Sequence, residues 1–194
     1  MEKVEILKDS TKIVIKNLTL NDLEKIMRFY RNLPPEDRKY LRVDVTDRNI
    51  VEQRIKACEL GYIIRIIAMH GDKIVADGAL ELSAEEWRRH QGEIRVIVAK
   101  EFQHKGLGLI IMRELCLLAE QKKLEKIVVK MTRQQIAART ICRKLGFHQE
   151  LIIPDYVRDL AGETQDLVIM TCDIKDFWKE LEHFYGDSDW QRCR

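Results

Sequence analysis

The stretch Glu93-Ile-Arg-Val-Ile-Val-Ala99 runs directly into Lys100-Glu-Phe-Gln-His-Lys-Gly-Leu-Gly108, and the two halves have different periods. β-Branched residues make the first half a strand. After the glycines, Ile111, Leu115 and Leu118 recur at helical spacing, so a helix opens at Gly108 and runs to Gln121. Glycines at 106 and 108 remove the Cβ atoms that would hold an anion away from the backbone N–H groups. The helix N-terminus adds a partial positive charge, so a phosphate group fits there, and Lys105 adds one more charge at the rim. A P-loop would need lysine after Gly106, where Leu107 stands. A Rossmann loop would place a third glycine at 111, where Ile111 stands. Taken alone, the pattern also fits a plain tight turn.

Outward from this stretch the chain divides cleanly. Upstream, Ile13-Val14-Ile15 reads as a strand, and Thr19 to Asp22 as the cap of a helix that Pro34-Pro35 stops. Ile50, Val51, Ile55 and Cys58 predict a second helix ending at Gly61. Tyr62–Met69 and Lys73–Leu82 around Gly71-Asp72 predict a hairpin. Downstream, strands at 126–131, 147–153 and 165–172 alternate with a helix over 134–145 ended by Gly146. The last helix, from Ile174, sets Phe177, Trp178, Leu181, Phe184 and Tyr185 on one face. The expected architecture is α/β (α+β): a mixed, mostly antiparallel sheet of six to seven strands flanked by helices. One domain spans residues 1–173, with residues 174–194 as a C-terminal amphipathic helix and tail, packed on its own domain or, in a homodimer, on a second subunit.

Composition narrows the function classes. Thirty-four basic and 32 acidic side chains leave a formal charge of +2, without the basic stripe of a nucleic-acid binder. Five cysteines, Cys58, Cys116, Cys142, Cys172 and Cys193, form neither C-x-x-C pairs nor a metal-ligand spacing with histidine, so no metal is expected. Met1 to Lys8 alternates charge and apolar residue and lacks a signal-peptide core, and no apolar run reaches the length of a membrane span. The expected location is cytoplasmic, with no membrane partner.

Gln103-x-x-Gly106-x-Gly108 after a strand resembles motif A of the GNAT superfamily of N-acetyltransferases, and Cys142-Arg-Lys-Leu-Gly-Phe147 resembles that superfamily's second landmark. The resemblance spans roughly residues 12–173 and implies the GNAT fold with acetyl-CoA as co-substrate. It implies further that the backbone of Val96, Ile97 and Val98 pairs with the pantetheine arm. The loop His104, Lys105, Gly106, Leu107, Gly108 and Leu109, with Gln103 before it, wraps the pyrophosphate. Gln135 stands where the superfamily often hydrogen-bonds pantetheine. Many members place a tyrosine acid where Cys142 stands here; a thiol donates weakly, so Cys142 is read as a small residue packing under the pantetheine.

An amine attacks a thioester only when neutral, and a lysine of pKa about 10.4 rarely is at pH 7. Glu93, at the start of the strand, is the candidate base, with a half-buried carboxyl whose pKa is raised. The alternative is a strand-end carboxylate paired with Arg95. Glu93, the glycine loop, the tyrosine-less Cys-Arg-Lys-Leu-Gly-Phe and the Phe29-Tyr-Arg-Asn-Leu-Pro-Pro-Glu36 stretch running to Tyr40-Leu-Arg42 are similar to Pat-type protein lysine acetyltransferases. That similarity implies a protein lysine as acceptor, for example on an acyl-CoA synthetase. Asp155, Asp159, Glu163 and Asp166, against a single Arg158, are expected to border the acceptor cleft and draw in a cation, or else to form a solvated loop. A small-molecule amine acetyltransferase and a non-catalytic acyl-CoA sensor remain the competing readings.

Overall fold

The computed structural model describes residues 2–38 and 41–185; Tyr40, Cys193 and the tail beyond residue 185 lie outside the described residues, as do the side chains of Phe184 and Tyr185. The strands are β1 (Glu2–Ile6), β2 (Lys12–Asn17), β3 (Ile63–His70), β4 (Lys73–Leu82), β5 (Gln91–Val98), β6 (Lys126–Thr132), β7 (Gln149–Arg158) and β8 (Thr164–Asp173). The helices are α1 (Leu23–Asn32), α2 (Pro35–Arg38), α3 (Arg48–Glu59), α4 (Leu107–Gln121), α5 (Ile136–Lys144) and α6 (Ile174–Tyr185). Local chemistry sets the starts. Asp22 reaches back to the Thr19 N–H (3.2 Å) and takes a hydrogen bond from its hydroxyl (2.9 Å) ahead of α1, and Asp47 accepts the Asn49 N–H at 2.8 Å to cap α3.

The strands form one sheet in the order β1-β2-β3-β4-β5-β6-β8-β7, antiparallel throughout except for β5 and β6. Period-2 alternation in the strands separates two apolar layers. Ile67, Met69 and Ile74 pack under α1 and α3 with Ile26, Met27, Tyr30, Val51 and Ile55. On the other face Ile66, Leu80, Ile94, Ile127 and Met170 pack under α4 and α6 with Ile111, Leu115, Phe177 and Leu181. The final helix therefore buries its Phe177 and Leu181 in the core of its own chain. No helix among the described residues is long and apolar enough to cross a membrane.

Eight strands are present where six to seven are expected from sequence, the addition being β1. It is an edge strand whose Val4 and Ile6 are exposed, so it lacks the buried apolar face that marks a strand in sequence. Its charges do the docking. Lys3 Nζ lies 2.9 Å from Glu114 Oε1, and Arg113 donates to Glu5 at 2.7 Å, satisfying two buried charges on α4.

Candidate functional site

β5 and β6 are paired only from Gln91 to Glu93 against Lys126 to Val128. Beyond that point β5 stays with β4 and β6 with β8, so the two strands part toward their C-terminal ends. Ala99 N–H donates to Val75 O (2.9 Å), and the antiparallel alternation from there sends the peptide groups of Arg95 and Ile97 to β4. Those of Val96 and Val98 face the gap. Val98 O receives Gln103 Nε2 at 3.1 Å, which leaves the Val96 N–H and C=O and the Val98 N–H open to a strand-like ligand. Between them, Ile97 turns its peptide to β4 and is itself among the residues that line the cleft. The cleft encloses about 800 Å³ including its open mouth, and Tyr30, Arg42, Arg54, Arg95, Lys130 and Gln135 are among the residues lining it.

The glycine loop closes the wide end of this gap. His104 (φ 61°) and Gly106 (φ 88°) both take the left-handed conformation that turns the chain into α4. The N–H groups of Leu107, Gly108 and Leu109, in the first helical turn, have no intrahelical partner. Leu107 is buried and Leu109 partly so, so each offers a ligand its backbone rather than its side chain. Gly106 is required by its φ. Gly108 is not: a Cβ there would meet Val98 Cγ2 at an ordinary 3.7 Å, so its bare surface serves something other than the fold. Lys105 pairs with Asp9 (3.0 Å) and lies over the Phe102 ring, while Lys8 N–H donates to Lys105 O at 3.2 Å. The β1–β2 turn therefore braces the loop from behind.

Glu93 sits at the apex of the gap, but its surroundings differ from expectation. Arg95 pairs with Glu81, not Glu93; Glu93 is held by Arg42, from the loop after α2, and by Lys130 on β6 at 2.8 Å. Burial pushes its pKa up, yet Lys130 and Arg42 outweigh burial and hold the carboxyl below the ordinary glutamate value. The expected raised pKa is therefore corrected to a lowered one. Glu81 also takes Arg54 at 2.9 Å. Deeper on the same face, Tyr30 donates to Asp77 (2.8 Å) and Arg65 pairs with Asp77, all three side chains buried. Sequence reading missed Arg42, Arg54, Glu81 and Lys130 as neighbours of Glu93. The readable signal was a charge set inside each apolar strand: Arg65, Asp77 and Arg95.

Gln135 lines the cleft at the start of α5, with Oε1 accepting the Thr132 N–H at 2.9 Å. Cys142 is buried in the α4-side core, and burial pushes its thiol up to about 12. It is neither an acid nor a thiolate at neutral pH. In the acidic segment, two of the four carboxylates have partners of their own. Asp159 is buried and accepts the Ala161 and Glu163 N–H groups (3.0 Å each), holding the β7–β8 turn, and Asp166 pairs with Arg133 at 3.2 Å.

Residues 62–149, which hold β3 to β6, the glycine loop and α5, match the family model described as an acetyltransferase (GNAT) domain. No curated protein is matched by the sequence. Among solved structures, the ribosomal-protein-alanine N-acetyltransferase of Brucella melitensis is similar at TM-score 0.71 and 18% identity, covering 82% of this chain and 98% of its own. The protein yncA of Salmonella typhimurium, solved with its cofactor acetyl-CoA, is similar at TM-score 0.71 and 18% identity, covering 84% and 94%. The GNAT domain of S. lividans PAT gives TM-score 0.69 at 13% identity, covering 89% and 96%. At these identities the likeness establishes the fold. The chain has the mixed α/β GNAT fold, and its centre matches the acetyltransferase domain model of that fold.

Proposed function

We propose that the chain transfers an acetyl group from acetyl-CoA to a primary amine, with the co-substrate in the gap between β5 and β6. The observation that carries this reading is the coincidence of two half-sites. The open Val96 and Val98 peptide groups can take an amide-bearing arm as an added strand, and the loop at the same end of β5 presents free N–H groups around a Gly108 that the fold does not need. Those two features fit a pantetheine arm and the pyrophosphate that directly follows it in one ligand. Gln103, His104, Lys105, Gly106, Leu107, Gly108 and Leu109 would hold the phosphates, and Gln135 the arm. Acetyl-CoA supplies an activated acetyl thioester there. The chain's own residues supply position and a proton acceptor. Glu93, ionised at neutral pH, takes the amine proton directly or through one water. Its cationic neighbours keep it a weak base, so the contribution expected is at the low end of the general-base range.

Two acceptors have support. Similarity of the loop and landmark residues to Pat-type enzymes, with the fold likeness to the PAT domain, favours a protein lysine. The walled cleft floored by Tyr30, Arg65 and Asp77 favours a small amine. Thiol release from acetyl-CoA, measured with a panel of free amines and with lysine-bearing proteins, tests the reading. Release with one class assigns the acceptor. Binding without release from any acceptor would favour an acyl-CoA sensor, and no binding of acetyl-CoA would overturn the proposal.

A further inference from the structure

The α1/α3 face of the cleft carries a charge surplus opposite in sign to what a polyamine would need. Five cations line the cleft, Arg42, Arg54, Arg65, Arg95 and Lys130, with Asp77 the one carboxylate among the lining residues. Asp77 is matched by Arg65. Behind the wall, Glu81 is shared by Arg54 and Arg95, and Glu93 by Arg42 and Lys130. Three carboxylates against five cations leave two positive charges uncompensated. The network also leaves polar atoms unused: Arg95 Nε and Arg65 Nε are buried without a hydrogen-bond partner among the described residues, as are the acceptors Asp77 Oδ1 and Glu93 Oε1. The pKa of Arg95 is depressed by burial first and then, against Glu81, by Arg54, Arg42 and Arg65. Of the acidic residues between β7 and β8, Asp159 is engaged at the turn and Asp166 pairs with Arg133.

Resting on the acyltransfer reading above, we infer that the acceptor is an amine that carries its own anion, a carboxylate seated against Arg54, Arg95 and Arg42 while the amine points to the apex of the gap. Such an anion completes the wall's charge balance, and it orients the substrate by one fixed end. A second ammonium in the same place adds to a surplus of like charge, since Asp77, Glu81 and Glu93 are already shared by the five cations. The shared chemistry has two sources: a free amino-carboxylate, or an amine on a polypeptide with an acidic side chain beside it.

The test uses the full chain and three acceptors of one length: 5-aminopentanoate, pentylamine and 1,5-diaminopentane. The expected order of kcat/KM puts 5-aminopentanoate at least tenfold above both others, with the advantage lost in Arg54→Gln. Lysine peptides flanked by glutamate or by glutamine form the second arm; a glutamate preference with slow free 5-aminopentanoate assigns the polypeptide source. Binding is read separately by calorimetry with glutarate and with 1,5-diaminopentane, thermal midpoints serving as the control for folding. Glutarate binding that weakens at least fivefold in Arg54→Gln supports the inference even if no amine is acetylated, which would sink only the acyltransfer reading. Preference for the diamine, or no glutarate binding by the folded wild type, overturns it.

Discussion

The two glycines of the loop separate conformation from ligand contact at the level of single residues. Gly106 sits at φ 88°, where any side chain is strained, so Gly106→Ala should lower stability by about 1–2 kcal/mol. Gly108 has room for a methyl group, so Gly108→Ala should leave the thermal midpoint within about 2 °C of wild type. It should nevertheless weaken acetyl-CoA binding at least tenfold, because the methyl group projects where the phosphates approach. Calorimetry and a melting curve on the two variants check both halves; a Gly108→Ala protein that binds normally would remove the loop from the site. Glu93 gives the second residue-scale test. Its carboxyl is held below 4.5, and a depressed pKa means the charged form, with the stability it brings, persists above the unfolded value and is lost only as pH falls through the folded one. Glu93→Gln should cut kcat by about 10²-fold, and the ratio of wild-type to variant kcat/KM should stay level down to about pH 5.5. A ratio that collapses near pH 6 would mean the carboxyl is raised and Lys130 and Arg42 do not hold it in solution.

Elements are joined to the sheet here by buried charge as well as by apolar contact. Helix α1 docks Tyr30 onto Asp77 of β4, which Arg65 of β3 also grips. Removing the shared carboxylate leaves a buried guanidinium facing only a hydroxyl, so Asp77→Ala should destabilise the fold by about 3–5 kcal/mol. The double variant Arg65→Met with Asp77→Leu should recover most of that loss, since two well-packed apolar groups need no partner. Denaturant melts of the single and double variants measure the coupling; equal destabilisation would show that volume, not charge, dominates. The same chemistry explains which elements were legible in sequence. Strands β3 to β6 and helices α4 and α5 were readable because their apolar residues repeat at the period of the element and glycines mark the turns. β1 was not, because Lys3 and Glu5 dock it through Arg113 and Glu114, which lie more than a hundred residues away. The glycine loop was readable from its own residues, whereas the partners of Glu93 arrive from a loop near residue 42 and from β6, a pairing that no local spacing records.

At the scale of the whole molecule, the sheet is two halves hinged at a short seam. β1 to β5 form one half and β6, β8 and β7 the other, joined along the sheet by only the three residue pairs from Gln91 to Glu93. Helix α4 lies on β3, β4 and β5 and leads through Leu124 to β6. A ligand lying along Val96 and Val98 fills the unpaired side of β5, and it binds the folded chain alone, so it must raise global stability by mass action. At a hundredfold excess over its dissociation constant, acetyl-CoA should contribute about 2.7 kcal/mol, which for a chain of this size is a rise of roughly 5–10 °C in melting temperature. The protection should also be local. The amides of Val96 and Val98 face the gap and exchange readily without ligand, whereas those of Arg95 and Ile97 are bonded to β4 throughout. Hydrogen exchange with and without acetyl-CoA should therefore slow the first pair strongly and the second pair little. Equal slowing of all four would mean that the ligand tightens the molecule from elsewhere, and no slowing with a raised melting temperature would place it outside the gap between β5 and β6.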